Sequence, residues 1–181
     1  MTSRLDFHIA QKTAQRDSLD YAARRLRGLP GVILEVGFGK GRSYSHLRAA
    51  FPDREIVCFD RQDHAHPGWG PPPGQLVLGE LGEVLARPAL AARLHGRVLL
   101  AHLDLARGDE VGGEIQTLVA RHVNPWLRPE GLILSDRPVA LPPASGLGRL
   151  DLRGQVAHAE LFYVYGRPDA HPTVPGGPAP P

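Results

Sequence analysis

VILEVGFGKGRSYSHL, residues 32–47, passes from an apolar run carrying one acid, through Gly37, Gly39 and Gly41, into a segment with helical character. Glycine has no Cβ, so this triplet lets the backbone turn sharply and lets a ligand come close to it. In an open parallel sheet the ligand crevice lies at the carboxyl ends of the strands, where the strand order reverses, and the first strand-to-helix turn forms its floor. The stretch therefore predicts a strand, a ligand seat and a helix in succession. The helix start after Gly41 favours a group with negative charge, such as a carboxylate or a phosphate.

Moving outward, similar apolar runs recur: GVILEVG (31–37), REIVCFD (54–60), QLVLGE (75–80), GRVLLAHLD (96–104) and GLILSD (131–136). Continuous rather than alternating apolar runs characterise parallel strands covered on both faces. Helix-like spacers over 43–50, 81–94 with a break near Pro88, and 110–127 separate them. The alternation predicts an α/β fold, a Rossmann-like doubly wound, mostly parallel sheet with helices on both faces in three layers. A leading helix is expected over 3–27, with Leu5, Ile9, Leu19, Ala22 and Leu26 toward the sheet or over its open edge. Four prolines and three glycines in RQDHAHPGWGPPPGQ (61–75) predict an irregular loop in place of a crossover helix, and PVALPPASGLG (138–148) also reads as loop. A final strand is expected within 159–166, which closes a single domain over 1–166. The Pro/Gly-rich remainder, 167–181, reads as a disordered tail.

Composition narrows the function. With 181 residues, 21 basic against 19 acidic side chains and a net charge of +2, the chain has a near-balanced surface and no basic stripe for nucleic acid. The single cysteine, Cys58, sits in an apolar run, reads as a small core residue and excludes an internal disulfide. No apolar segment predicts a signal peptide or a membrane span, and a cytoplasmic protein is expected.

Glu35 two residues before a GxGxG turn, and Asp60 nineteen residues after Gly41, resemble motif I and the ribose acid of the class I S-adenosylmethionine-dependent methyltransferases. LVLGEL, with Glu80, is similar to the family's adenine segment, and WLRPEGLILSD to its turn and fifth strand. The resemblance covers about residues 30–137. It implies that Gly37, Phe38, Gly39 and Gly41 admit the methionine part of S-adenosyl-L-methionine, and that Glu35 fixes the loop or meets the cofactor's ammonium group. By the same resemblance Asp60 holds the ribose hydroxyls, Glu80 or the adjacent backbone at Leu81 meets the adenine, and Arg61 either borders it or is solvated. Trp69 either stacks on the adenine or plugs the loop, and Tyr44 either covers the cofactor or packs its helix.

Catalytic candidates stand where the fourth and fifth strands end: His102 and Asp104, then Asp136 and Arg137. The two acids are similar to those of the metal-dependent catechol-type O-methyltransferases. Arg137 stands where that group has a neutral oxygen ligand, and a cation there argues against a bound divalent ion, so no metal is expected. Arg137 either binds an anionic acceptor or pairs with Asp104 or Asp136. His102 is either a hydrogen-bonded strand residue or a base. His64 and His66 read as a solvated pair, while His46 packs in its helix or reaches the loop. The resemblance implies methyl transfer to a small-molecule acceptor, without nucleic acid or membrane as partner, in a chain whose open sheet edge suits a homodimer or larger assembly. The readings set against it are an NAD(P)-dependent oxidoreductase, disfavoured by the GxGxG spacing, and a non-catalytic nucleoside-binding protein.

Overall fold

Aliphatic and β-branched runs bounded by glycine, proline or acid form the strands. The computed structural model describes residues 3–105 and 112–170 of the chain. In order these form α1 (Arg4–Arg25), β1 (Val32–Val36), α2 (Arg42–Ala50), β2 (Ile56–Asp60), β3 (Leu76–Leu78), α3 (Leu81–Leu85), α4 (Pro88–Leu94), β4 (Val98–Leu103), α5 (Gly112–Val123), β5 (Leu127–Ser135), β6 (Gly148–Arg149) and β7 (Tyr163–Gly166). The strands make one seven-stranded sheet in the order β3-β2-β1-β4-β5-β7-β6. β1 to β5 run parallel, and β7 is antiparallel to both neighbours. The strand order reverses between β1 and β4, so the crevice opens above those two strands.

Alternate residues of each buried strand face opposite layers. Val32, Leu34 and Val36 join Val57, Phe59, Ala101 and Leu103 against α3, α4 and α5, a layer completed by Trp126 in the 3-10 turn Asn124–Trp126. Ile33, Ile56, Cys58, Leu100, Leu132 and Leu134 face α1 and α2. Burial on both faces explains why the runs are continuous.

Several boundaries differ from the sequence reading. Only the second half of α1 packs on the sheet, through Ala14, Leu19, Ala22 and the cap residue Leu26. Leu5 and Ile9, expected to be buried, are 68% and 57% exposed, because the first turns of the helix extend past the layer that would cover them. A capping box between Ser3 and Asp6 holds that end instead. The expected break near Pro88 is present: the segment divides into α3 and α4, and Pro88 occupies the first turn of the second, where its missing N–H costs nothing. β5 begins at Leu127, so the turn-like LRPEG lies within a strand whose register on β4 shifts between Val98 and Leu100. Gly148 and Arg149 of the expected loop pair with β7 as an edge strand. As expected, 61–75 contains no helix. Of the expected tail, Pro168–Ala170 forms a 3-10 turn and Arg167 donates to the Arg128 and Pro129 carbonyls. Residues 171–181, and the start of the expected helix over 110–127, lie outside the described residues.

Leu100 is fully buried at the centre of the sheet, so Leu100→Ala should lower the unfolding free energy by about 3 kcal/mol through lost transfer energy and the cavity left behind. Leu5→Ala, on the projecting end of α1, should change it by less than about 0.5 kcal/mol. Urea denaturation of both variants checks the contrast.

Candidate functional site

The turn after β1 is held by its own hydrogen bonds. Gly37 and Phe38 donate to the Phe59 carbonyl at 2.9 and 3.1 Å, and Gly41 donates to the Phe38 carbonyl at 2.9 Å. All three glycines have positive φ, at 90°, 53° and 79°. They are not equivalent. A Cβ on Gly37 would run into the Asp104 carbonyl, and one on Gly41 would press the Phe38 ring at 3.0 Å and the Trp69 carbonyl at 3.1 Å. A Cβ on Gly39 would meet nothing within 4 Å among the described residues, so that backbone faces open space. Asp60, at the end of β2, accepts from the Gly39 amide at 2.7 Å through Oδ2 and from the Arg61 amide at 2.7 Å through Oδ1. Oδ1 also accepts from the Gln62 amide at 3.4 Å, and since each carboxylate oxygen has two lone pairs, Asp60 keeps acceptor capacity on Oδ2. Loop amides therefore mostly close the turn itself. No side chain caps the first turn of α2, whose N-cap is Gly41.

Beneath the turn lies a buried polar chain. Glu35 and His102 are register partners on β1 and β4, and both are 0% exposed. Glu35 Oε2 meets His102 Nδ1 at 2.7 Å, and Oε1 accepts from the Ser43 hydroxyl in the first turn of α2. His102 Nε2 lies 3.1 Å from Gln15 Nε2 of α1, and the ring stacks on Phe162. The same Gln15 nitrogen donates to Asp104 Oδ2 at 2.8 Å, and Lys12 Nζ reaches Gln15 Oε1 at 2.8 Å and Asp104 Oδ2 at 3.3 Å. Burial opposes a second proton on His102, but Glu35, then Asp104 and Asp136, outweigh it and raise its pKa. Burial likewise pushes Asp104 up, but His102, Lys12 and Gln15 reverse the sign and hold it below the usual carboxylate value.

On the neighbouring strand, Asp136 is buried and accepts from Gln116 Nε2 of α5. Burial first, and the Asp104 charge second, push its pKa up to about 6, while Arg137 and His102 act weakly the other way. Two carboxyls at adjacent strand ends are thus driven apart in acidity.

Some candidates stand elsewhere than expected. His102 is enclosed on every side with both ring nitrogens engaged, so it cannot reach an acceptor as a base. Glu35 is fully buried, with one oxygen on His102 and the other on Ser43, which favours the loop-fixing role over contact with an ammonium group. The Phe38 ring is buried against Tyr44, edge to face at 5.6 Å, so only its backbone borders the turn, and Tyr44 packs its helix. Asp104 has an ion pair from Lys12 and Asp136 a hydrogen bond from Gln116; among the described residues Arg137 makes a direct ion pair with neither, although its charge still acts on Asp136. Arg61 and Glu80 are exposed beside the mouth, Leu81 packs partly on the core, and Trp69 is 52% exposed. His46 lies in α2, but its side chain bonds Asp20 of α1 at 2.8 Å instead of reaching the loop. Lys12, Gln15, Ser43 and Gln116 escaped the sequence reading. Among the described residues no three His, Cys, Asp or Glu side chains converge as metal ligands, and no helix is long and apolar enough to cross a membrane.

A family profile described as S-adenosyl-L-methionine methyltransferase matches residues 2–165. Among solved structures, the S-adenosyl-L-methionine methyl transferase from Silicibacter pomeroyi DSS-3 is 34% identical with a TM-score of 0.82, over 92% of this chain and 100% of that one. The MycE methyltransferase of the mycinamycin pathway, in complex with Mg and SAH, shares the fold at 16% identity and a TM-score of 0.54, over 87% of this chain and 48% of that one. The antibiotic-resistance methyltransferase Kmr does so at 18% and 0.50, over 84% and 92%. No curated protein matches.

The Asp136 environment has a consequence for stability. Its pKa rises from 3.8 to about 6 on folding, so between these values the folded chain binds more proton than the unfolded one, and stability falls as pH rises through that window. Asp136→Asn should remove this fall, and chemical denaturation of both proteins between pH 4 and 7 checks it.

Proposed function

Since the chain belongs to the S-adenosyl-L-methionine methyltransferase family, we propose that its donor is seated on the turn at Gly37, Gly39 and Gly41, with the ribose held by Asp60. One observation carries this placement: the glycine whose Cβ position is open, Gly39, is the one whose amide is bonded to Asp60. A nucleoside can approach the backbone there and meet the remaining lone pairs of the acid, and charge-assisted bonds from a diol orient as well as bind. The uncapped first turn of α2 suits the donor's carboxylate. Arg61, Glu80 and Leu81 border the adenine end in this reading, and Trp69 lies within reach of it.

Bound S-adenosyl-L-methionine supplies a methyl group already activated on a sulfonium, so the chain's own work is alignment, exclusion of water and proton handling. Asp104, held below its ordinary pKa by its partners, stays ionised and positions the acceptor. Asp136, with a pKa near 6, is a carboxylate at neutral pH yet basic enough to take a proton from an acceptor hydroxyl or amine. Environments that separate two neighbouring acids assign these roles. Arg137, consumed by neither carboxylate, is the cation for a small, anionic acceptor. An arginine at this rim also leaves no oxygen donor where a divalent ion would need one, so no metal step is assigned. A cytoplasmic location fits the buried, reduced Cys58, and a homodimer or larger assembly would cover the exposed end of α1.

Calorimetric titration with S-adenosylhomocysteine tests the seat. Asp60→Ala should cost about 1.5–3 kcal/mol of affinity, tenfold or more in Kd, with the fold intact; unchanged affinity would place the ribose elsewhere. For the proton step, the rate of methyl transfer should rise through pH 6 in the wild type. Asp136→Asn should be slow at every pH and insensitive over that range, and a chelator should leave both proteins unaffected.

A further inference from the structure

The amide of Gln15 joins the two halves of the site. Its nitrogen carries two hydrogens, and two acceptors lie within reach: His102 Nε2 at 3.1 Å and Asp104 Oδ2 at 2.8 Å. Its oxygen accepts from Lys12 Nζ at 2.8 Å. Turning the amide over would set its oxygen against the part-buried Asp104 carboxylate and its NH₂ against the more exposed Lys12 ammonium, two repulsive contacts of which the first is the costlier. Lys12 and Asp104 therefore fix which way the amide points. With the amide so fixed, His102 Nε2 must carry a lone pair, and its proton must sit on Nδ1, where Glu35 Oε2 receives it at 2.7 Å. The other Glu35 oxygen holds Ser43 at the start of α2, immediately after the glycine turn.

We propose that Gln15 is a positioning residue that holds His102 as its Nδ1–H form and Asp104 in place at the same time, tying the acceptor side of the site to the donor loop. The proposal rests on the assignment of Asp60 and the glycine turn to the donor and of Asp104 to the acceptor. The groups facing His102 act in opposite senses. Glu35 from β1, Asp104 from its own strand and Asp136 from β5 attract a second proton, and Phe162 covers one face of the ring. From α1 the Gln15 donor repels a proton at Nε2, and Lys12, through Gln15 Oε1, keeps that donor aimed. Gln15 is placed for this by the helical stripe whose next members, Leu19, Ala22 and Leu26, pack on the sheet.

The test is two-bond ¹H–¹⁵N NMR of the histidine rings in the full chain across pH, for the wild type and Gln15→Met, a variant of similar shape that donates no hydrogen bond. In the wild type at the alkaline limit His102 should show Nδ1 protonated and Nε2 bare. In Gln15→Met its titration midpoint should move up by about one pH unit, a tenfold gain in proton affinity, and binding of S-adenosylhomocysteine should follow the shifted midpoint. An Nε2–H tautomer in the wild type, or an unmoved midpoint in the variant, would overturn the proposal. Should Gln15→Met fail to fold, the wild-type tautomer alone decides. Unchanged binding in Asp60→Ala would instead displace the donor site and leave these spectra as they are, so the two failures are distinguishable.

Discussion

The buried pairing of Glu35 with His102 is the constraint around which the site is organised. A carboxylate and an imidazole with no access to water are tolerable only when each of their oxygens and nitrogens has a partner, and removing one partner of such a pair typically costs about 3–5 kcal/mol. Here the partners come from four separated parts of the chain: β1, β4, the first turn of α2 and the middle of α1. The pair thus does little for stability that an apolar pair would not do, but it fixes how these elements meet. The glycine turn begins two residues after Glu35 and ends two residues before Ser43, so its shape is set from both sides.

That arrangement explains how a donor seat survives on a small domain without a crossover helix after β2. The turn is closed by bonds to the Phe59 carbonyl and within itself, Gly37 is pressed against β4, and Gly41 lies under Phe38 and the backbone of Trp69. Of the three, Gly39 is left facing open space, next to Asp60, which accepts from its amide. A seat preformed in this way loses little ordering entropy when it is filled. On the other side of the sheet midline the two acids at the ends of β4 and β5 differ because their neighbours differ. Asp104 has Lys12 and Gln15, while Asp136 has Gln116, burial and the charge of Asp104.

The fold was largely legible because each buried strand is an uninterrupted apolar run, a pattern that requires cover on both faces. Glu35 and His102 were legible as candidates for the same reason, being polar interruptions inside such runs. Their mutual contact was implied by adjacent strands but not readable without the register, and this is why the base reading of His102 stayed open beside the favoured one of a hydrogen-bonded strand residue. Gln15 and Lys12 gave no local signal, since their partner Asp104 lies some ninety residues away. Leu5 and Ile9 misled because helical spacing reports which side of a helix is apolar, not how far the layer beneath it extends. The two-residue edge strand at Gly148 was hidden by the prolines around it, which allow an edge but not a central strand.

A crystal structure of the chain bound to S-adenosylhomocysteine tests the central claim most directly. The account predicts the two ribose hydroxyls on the Asp60 carboxylate and the amino-acid moiety over Gly39, with Glu35 still closed onto His102 and Ser43. A nucleoside bound away from Asp60, or a Glu35 carboxylate turned out to meet the ligand's ammonium group, would contradict it.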